Sequence, residues 1–373
     1  SFGNAGIIGN SYFLPFRFPP LNKILNILFD QDTAARIHYS SIPAYLPWLL
    51  RFYLRSQEKG QLETSRAIWP LVSPALNEHM ELMKGTDVEK HLHKTGRVAL
   101  YRREESFLAD AFDRKVADTL NVPYEIFSCD DFRDIEPDLN PVFKKAVRWP
   151  TSPRVDNPGY MVDAYAKTFV DQGGTFLKID VRKLVPKDAF WRLETLGSTV
   201  EAKEIVVCTG PWANEIVRAL GYHFPMALKR GYHQHFHAEG NRKLSHALFD
   251  ADGGFGLVPM ESGYRLCTGA EFAEMDAPPT PLQITRALPA AKALFPLGPA
   301  IEPMPWCGNR PCFTDSLPVI GPAPKHKGLW FNFGHGHVGL TIGPASGRLA
   351  AEMLDGSDTF CDPAPYRADR FSC

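Results

Sequence analysis

No run of about 18 uninterrupted apolar residues occurs in the 373-residue chain, and its start lacks a basic-then-apolar pattern, so neither a membrane span nor a secretory leader is indicated. Charge of either sign is not in excess. The net charge is -1 and the pI about 6.9, too weak a field to hold a nucleic-acid backbone, so nucleic acid is excluded as a partner. The seven cysteines, at 129, 208, 267, 307, 312, 361 and 373, form no C-x-x-C pair and have no histidine at metal-site spacing. They read as free thiols in a reducing compartment. The three histidines His233, His235 and His237 share one face of a period-two run, but no cysteine or carboxylate completes a ligand set nearby, so no metal is expected. A cytoplasmic location follows.

What the chain has is an ordinary globular composition, 44% hydrophobic and 22% charged, at a length that calls for two domains. Residues 22–57 hold two apolar, aromatic stretches, 24–29 and 46–54, the second carrying Trp48, Phe52 and Tyr53 with Arg51 and Arg55. They read as core helices, or as a surface touching a lipid headgroup layer on the inner membrane. Apolar spacing over 64–84 predicts a long helix bent at Pro70 and Pro74. Strands are expected at 97–101 and 146–149, and a helix over 160–172 stopped by Gly173 and Gly174. Further strands are expected at 175–179, as a hairpin through Trp191 and Val200, and over 204–208, the last almost wholly apolar as buried parallel strands are. A second set occupies 232–238, 247–249, 255–259 and 264–270.

The tail predicts a strand over 329–333, a glycine-histidine turn and a helix over 340–354. The turn reads GHGHVG at 334–339 and so matches G-x-G-x-x-G, yet a dinucleotide fingerprint needs a second strand about 20 residues on, ending in an acidic residue. Here the chain passes Asp355 and ends at Cys373 without one. What survives is the physics of the turn. Glycines let backbone approach a flat ring, and the free amides of a helix start carry about half a positive charge.

Five stretches together resemble the FAD-dependent D-amino-acid dehydrogenases and their relatives, the glycine, sarcosine and D-amino-acid oxidases. They are SFGNAG at 1–6, GGTF at 173–176 with Val181 after it, VCTGPWA at 207–213, CGNRP at 307–311 running on to PVIG at 318–321, and NFGHGHVGLT at 332–341. The resemblance implies an α/β fold: a Rossmann-like FAD-binding domain, incomplete at its N-terminus, joined to an α+β substrate domain with a mixed sheet. Residues 1–20, 151–215 and 305–373 fall to the first and 21–150 and 216–304 to the second. It further implies FAD contacts at Ser1, Asn4, Ala5, Gly6, Val181, Thr209, Gly210 and Trp212, and along the turn at Gly334, His335, Gly336, His337, Val338, Gly339, Leu340 and Thr341. Arg310 is implied as the clamp on a substrate carboxylate.

The departure is at the start. Members of that family begin with strand, G-x-G-x-x-G, helix and strand, and this sequence opens at Ser1 inside the later S-x-x-N-A-G segment. A separate N-terminal peptide, cleaved before Ser1 or supplied as a second chain, is expected to complete a heteromer. Tyr232 and Tyr264 are candidates for a hydrogen-bonding wall around the substrate, with core packing equally open for each. The expected reaction takes a small amino acid, D-configured or proline-like, to its imino acid, with quinone or oxygen accepting the electrons. A glycine- or sarcosine-type oxidase, an N-alkyl amino-acid dehydrogenase subunit, and a non-catalytic electron-relay subunit are the alternatives.

Overall fold

A computed structural model describes residues 2–371. Strand alternation and helix periodicity resolve into two sheets with separate cores. The larger has eleven strands, and its path runs Ala35–Ile37, Ala270–Phe272, Ala227–Ala238, Gly263–Thr268, Phe255–Met260, Ala247–Asp250, Arg97–Tyr101, Lys145–Trp149, Glu125–Ser128. Leu297–Ala300 and Trp306–Cys312 also pair with the long central strand Ala227–Ala238. The helix Leu282–Leu294 covers one face, where Tyr232, Phe236, Leu257, Leu266, Leu294 and Phe295 form a single buried cluster. Each such side chain removed from water contributes roughly 1.5–3 kcal/mol. The opposite face carries Lys229, His233, His235 and Arg265 on its central strands and buried apolar clusters around Val258 and Trp149, and the N-terminal segment crosses it with Ile7 and Phe13.

The smaller sheet places Ile205–Val207 parallel to Leu329–Phe333, which pairs antiparallel with Val319–Pro322. Leu329–Phe333 feeds through the glycine-histidine turn into the tail helix Gly339–Asp355, closed by the left-handed Gly356. A three-stranded antiparallel meander, Val181–Pro186, Trp191–Thr195 and Thr199–Ala202, packs on the same core.

Two of the expected elements need correction. The long helix over 64–84 is two, Glu58–Val72 and Ala75–Met83: Pro70 is carried inside the first, but Pro74 cannot extend the amide ladder and the chain restarts after it. Residues 175–179 form no strand, because no neighbouring strand lies alongside to take their backbone hydrogen bonds, and Phe176 and Leu177 stand exposed. Trp306–Cys312 pairs residue for residue with the central strand. His237 is exposed while His233 and His235 are buried. Among the described residues no group of His, Cys, Asp or Glu is arranged to hold a metal, and the six described cysteines are free; Cys373 lies outside them.

Candidate active site between the large sheet and the glycine-histidine turn

The N-terminal segment is clamped from two sides. Val155 donates its amide to the Gly6 carbonyl at 2.7 Å, Ile8 donates to Pro153 at 2.8 Å, and the Thr341 hydroxyl of the tail helix donates to the Ile7 carbonyl at 3.0 Å. Asn4 turns the chain by accepting the Gly6 amide on its side chain at 2.8 Å, and Gly6 takes φ +73°. The Asn4 carbonyl is gripped by the Arg265 guanidinium, whose Nε donates to His235 Nε2 at 2.9 Å. His235 therefore carries its proton on Nδ1 and donates it to Glu302. A carboxylate at the rim thus fixes, through two buried side chains, the peptide next to Ala5 and Gly6.

The turn joins the same site. Gly334 and Gly336 hold φ +81° and +57°, and the Gly336 amide donates to the Pro311 carbonyl at 3.0 Å, tying the turn to the strand that carries Arg310. His335 bonds Ser346 Oγ at 3.0 Å; His337 packs against Phe16 at 4.0 Å and Tyr12 at 5.8 Å between ring centroids. Burial pushes His335 down to about 4, and burial with Lys229, Arg310 and Arg97 nearby pushes His337 down to about 3. Both are neutral throughout the physiological range. Unfolded histidine titrates near 6.5, so stability is full above that pH and falls as pH drops toward 3, by up to roughly 1.4 kcal/mol per pH unit for each such histidine. Urea midpoints measured from pH 7 to pH 4 are expected to fall steeply, and His337→Gln is expected to flatten the fall.

Arg310 sits directly across from Lys229 in the antiparallel register and lies over Gly231, where any Cβ would come within 2.1 Å of the guanidinium. Its Nη1 donates to the Gly269 carbonyl at 2.9 Å; Nε and Nη2 have no partner among the described residues. No carboxylate neutralises it.

Strand parity overturns the expected wall. Tyr232 and Tyr264 project to the helix-covered face: the Tyr232 hydroxyl donates to the buried Glu271 and accepts the Thr280 amide at 2.8 Å, and Tyr264 packs on Phe295 and bonds the 242–244 backbone. Neither can share a pocket with Arg310. The side chains that do share its face are Lys229, His233, His235, Arg265 and Trp306, and Tyr12 faces them from the N-terminal segment. The alternation Lys229, Gly231, His233, His235 was the available signal, since residues two apart along a strand share a face.

Of the other expected contacts, Val338 is buried beneath the turn, and the Leu340 carbonyl accepts from His79 at 2.8 Å. Thr209, Gly210 and Trp212 follow the end of strand Ile205–Val207, with Trp212 half exposed, and Val181 starts the meander. Ser1 lies outside the described residues.

Residues 1–353 match DAO, the family of FAD dependent oxidoreductases. The chain belongs to that family. It is 26% identical over 384 residues to a D-amino-acid oxidase of Bradyrhizobium diazoefficiens, covering all of this chain and 89% of that protein. The identity is the same to a D-amino acid dehydrogenase of Agrobacterium fabrum, covering 90% of it. The glycine oxidase of Geobacillus kaustophilus superposes with a TM-score of 0.71 at 22% identity, over 81% of this chain and 83% of that one.

FAD is the cofactor of this oxidoreductase, and the residues at the turn fit its ring system. The left-handed glycines leave the turn backbone bare, and the tail helix starts without an acidic residue in its first turn, so its amides present an uncancelled positive pole. Asn4, Ala5 and Gly6 lie on the same side, tied to the helix through Ile7.

Proposed function

We propose that this protein oxidises a small amino acid to the imino acid, with the substrate carboxylate on Arg310 and its Cα–H directed at the flavin. The observation that carries this is the partly buried, acid-free guanidinium with two unused nitrogens, on a strand hydrogen-bonded to the glycine-histidine turn. A guanidinium binds a carboxylate through two parallel hydrogen bonds, which fixes both position and orientation. Tyr12, whose hydroxyl has no partner among the described residues, supplies the hydrogen-bonding wall in place of the two tyrosines that face away. FAD, when bound, would supply the two-electron acceptor for the substrate's oxidation. Water then converts a primary imino acid to keto acid and ammonia, whereas a cyclic one persists. D-amino acids and proline-like substrates suit this reading.

A companion strand-loop-helix-strand segment holds the pyrophosphate end of FAD. Its seat is the free edge of strand Ile205–Val207, where Val206 and, just past the strand's end, Trp212 are exposed. Thr209, Gly210 and Val181 border that seat. The helix Ile42–Arg55 presents Leu46, Leu50 and Leu54 outward in a stripe, with Arg51 and Arg55 and no acidic residue. That composition suits peripheral contact with an anionic inner-membrane surface and a quinone as acceptor; no helix among the described residues is long and apolar enough to cross a membrane.

The protein produced together with such a segment is expected to be yellow and to bleach anaerobically on adding a D-amino acid. A yellow protein that no amino acid bleaches defeats the substrate reading. Stoichiometric FAD on residues 1–373 alone defeats the companion.

A further inference from the structure

Four cations lie on or beside the site face of the large sheet: Arg97, Lys229, Arg265 and Arg310. Arg97 is placed over the rings of Phe249 and Tyr12, at 4.7 and 5.6 Å, and Arg265 is engaged by Asn4 and His235. The acid at this site, Glu302, is paired with His235 at the rim. Arg97 too lacks an acid, and its Nε is buried without a partner, but among the four it is Lys229 and Arg310 that stand directly opposite each other. Lys229 is 5% exposed and makes no hydrogen bond or ion pair among the described residues. Its ammonium is enclosed by the rings of Phe52, Trp48, Phe16 and Phe272 at 4.4 to 5.6 Å and borders a small cavity with Cys312 and His337.

A buried cation without an acid is costly, and two side by side cost more, because each repels the other. Aromatic faces offset part of that cost for Lys229 and exclude water, but they carry no net charge. Directly opposite residues of an antiparallel pair have Cβ atoms about 5 Å apart. From there the side chains diverge: Arg310 folds over Gly231 toward the Gly269 carbonyl, and Lys229 reaches into the ring cage. The result is two positive poles, and one substrate carboxylate neutralises one of them. The N-terminus of the tail helix already provides a positive pole beside the turn, so Lys229 is surplus there.

We propose that the substrate carries a second carboxylate, on its side chain or on an N-substituent, with the α-carboxylate on Arg310 and the second on Lys229. This rests on the amino-acid reading above and narrows it to acidic substrates. Lys229 is then the specificity-determining residue, and an uncharged side chain leaves its ammonium buried and unpaired.

The test uses FAD-loaded protein titrated with unreactive probes, succinate and glutarate against butyrate, read by the perturbation of the flavin spectrum and by thermal shift. Wild type is expected to bind the dicarboxylates about 30-fold or more tighter than butyrate, a difference within the range measured for close buried charge pairs. Lys229→Met is expected to erase that preference while leaving butyrate within about threefold, and Lys229→Arg, which keeps the charge, to retain most of it. Equal binding of both classes by wild type, or equal weakening of both in Lys229→Met, overturns the assignment; the second result places the ammonium at the flavin or in the fold. Arg310→Leu separates the two readings. If butyrate binds in an Arg310-dependent way without a dicarboxylate preference, only the acidic-substrate inference falls. If neither class binds and Arg310→Leu changes nothing, the amino-acid reading falls with it.

Discussion

Arg310→Leu is expected to raise the apparent KM for the amino-acid substrate by about 100-fold or more while leaving FAD content unchanged. Two charge-assisted hydrogen bonds are lost, together worth about 3 kcal/mol in a site that water enters poorly. Stability should move the other way or not at all. The guanidinium is partly buried opposite Lys229 with no acid to neutralise it, and replacing such a charge with an apolar group of similar size is often neutral or stabilising. Affinity and thermal midpoint are therefore expected to diverge. A melting temperature that collapses together with affinity would show that Arg310 serves the fold and not a ligand.

Gly6→Val is expected to act on both. Gly6 sits at φ +73°, and a Cβ there would lie 2.0 Å from the Val155 carbonyl oxygen, backbone that cannot rotate away. A β-branched residue at positive φ adds strain to the overlap, together roughly 3 kcal/mol or more. Relief requires moving the segment off residues 153–155, which displaces Asn4 from Arg265 and Ile7 from Thr341. FAD retention should drop with stability, read by the flavin-to-protein absorbance ratio and the urea midpoint. Gly343→Ala is the control: its Cβ meets nothing within 4 Å, and inside a helix the change is expected to be neutral or to stabilise by about 0.5–1 kcal/mol. Full FAD binding by Gly6→Val would mean the N-terminal segment does not line the flavin.

Much of the smaller sheet was legible because its signals are local. An apolar run ending in Thr209-Gly210 reads as a strand whatever surrounds it, although it lies at the sheet edge with Val206 exposed, and the strand, glycine turn and helix over 329–355 follow one another without a gap. The error at 175–179 has the same origin read in reverse: the residues have strand character, but a strand exists only beside a partner, and none lies there. The break at Pro74 against the tolerance of Pro70 was not legible either, since both remove one amide and packing decides which the helix survives.

Family and cofactor were carried by the order of residues along the chain, and the proposals for Arg310 and the 334–341 turn start from the same stretches, because close backbone approach to a flat ring needs glycine at particular places and a carboxylate clamp needs a guanidinium. Which side chains share a pocket with Arg310 was decided only by the tertiary structure. Side chains alternate along a strand, so a residue's face depends on which face the rest of the chain covers. Here the helix Leu282–Leu294 covers the face of Tyr232 and Tyr264, and the N-terminal segment crosses the face of Lys229, His233 and His235. Read locally, a tyrosine beside a histidine-rich run looks like a ligand. The pairing of Lys229 with Arg310, 81 positions apart in sequence, puts that tyrosine on the other face.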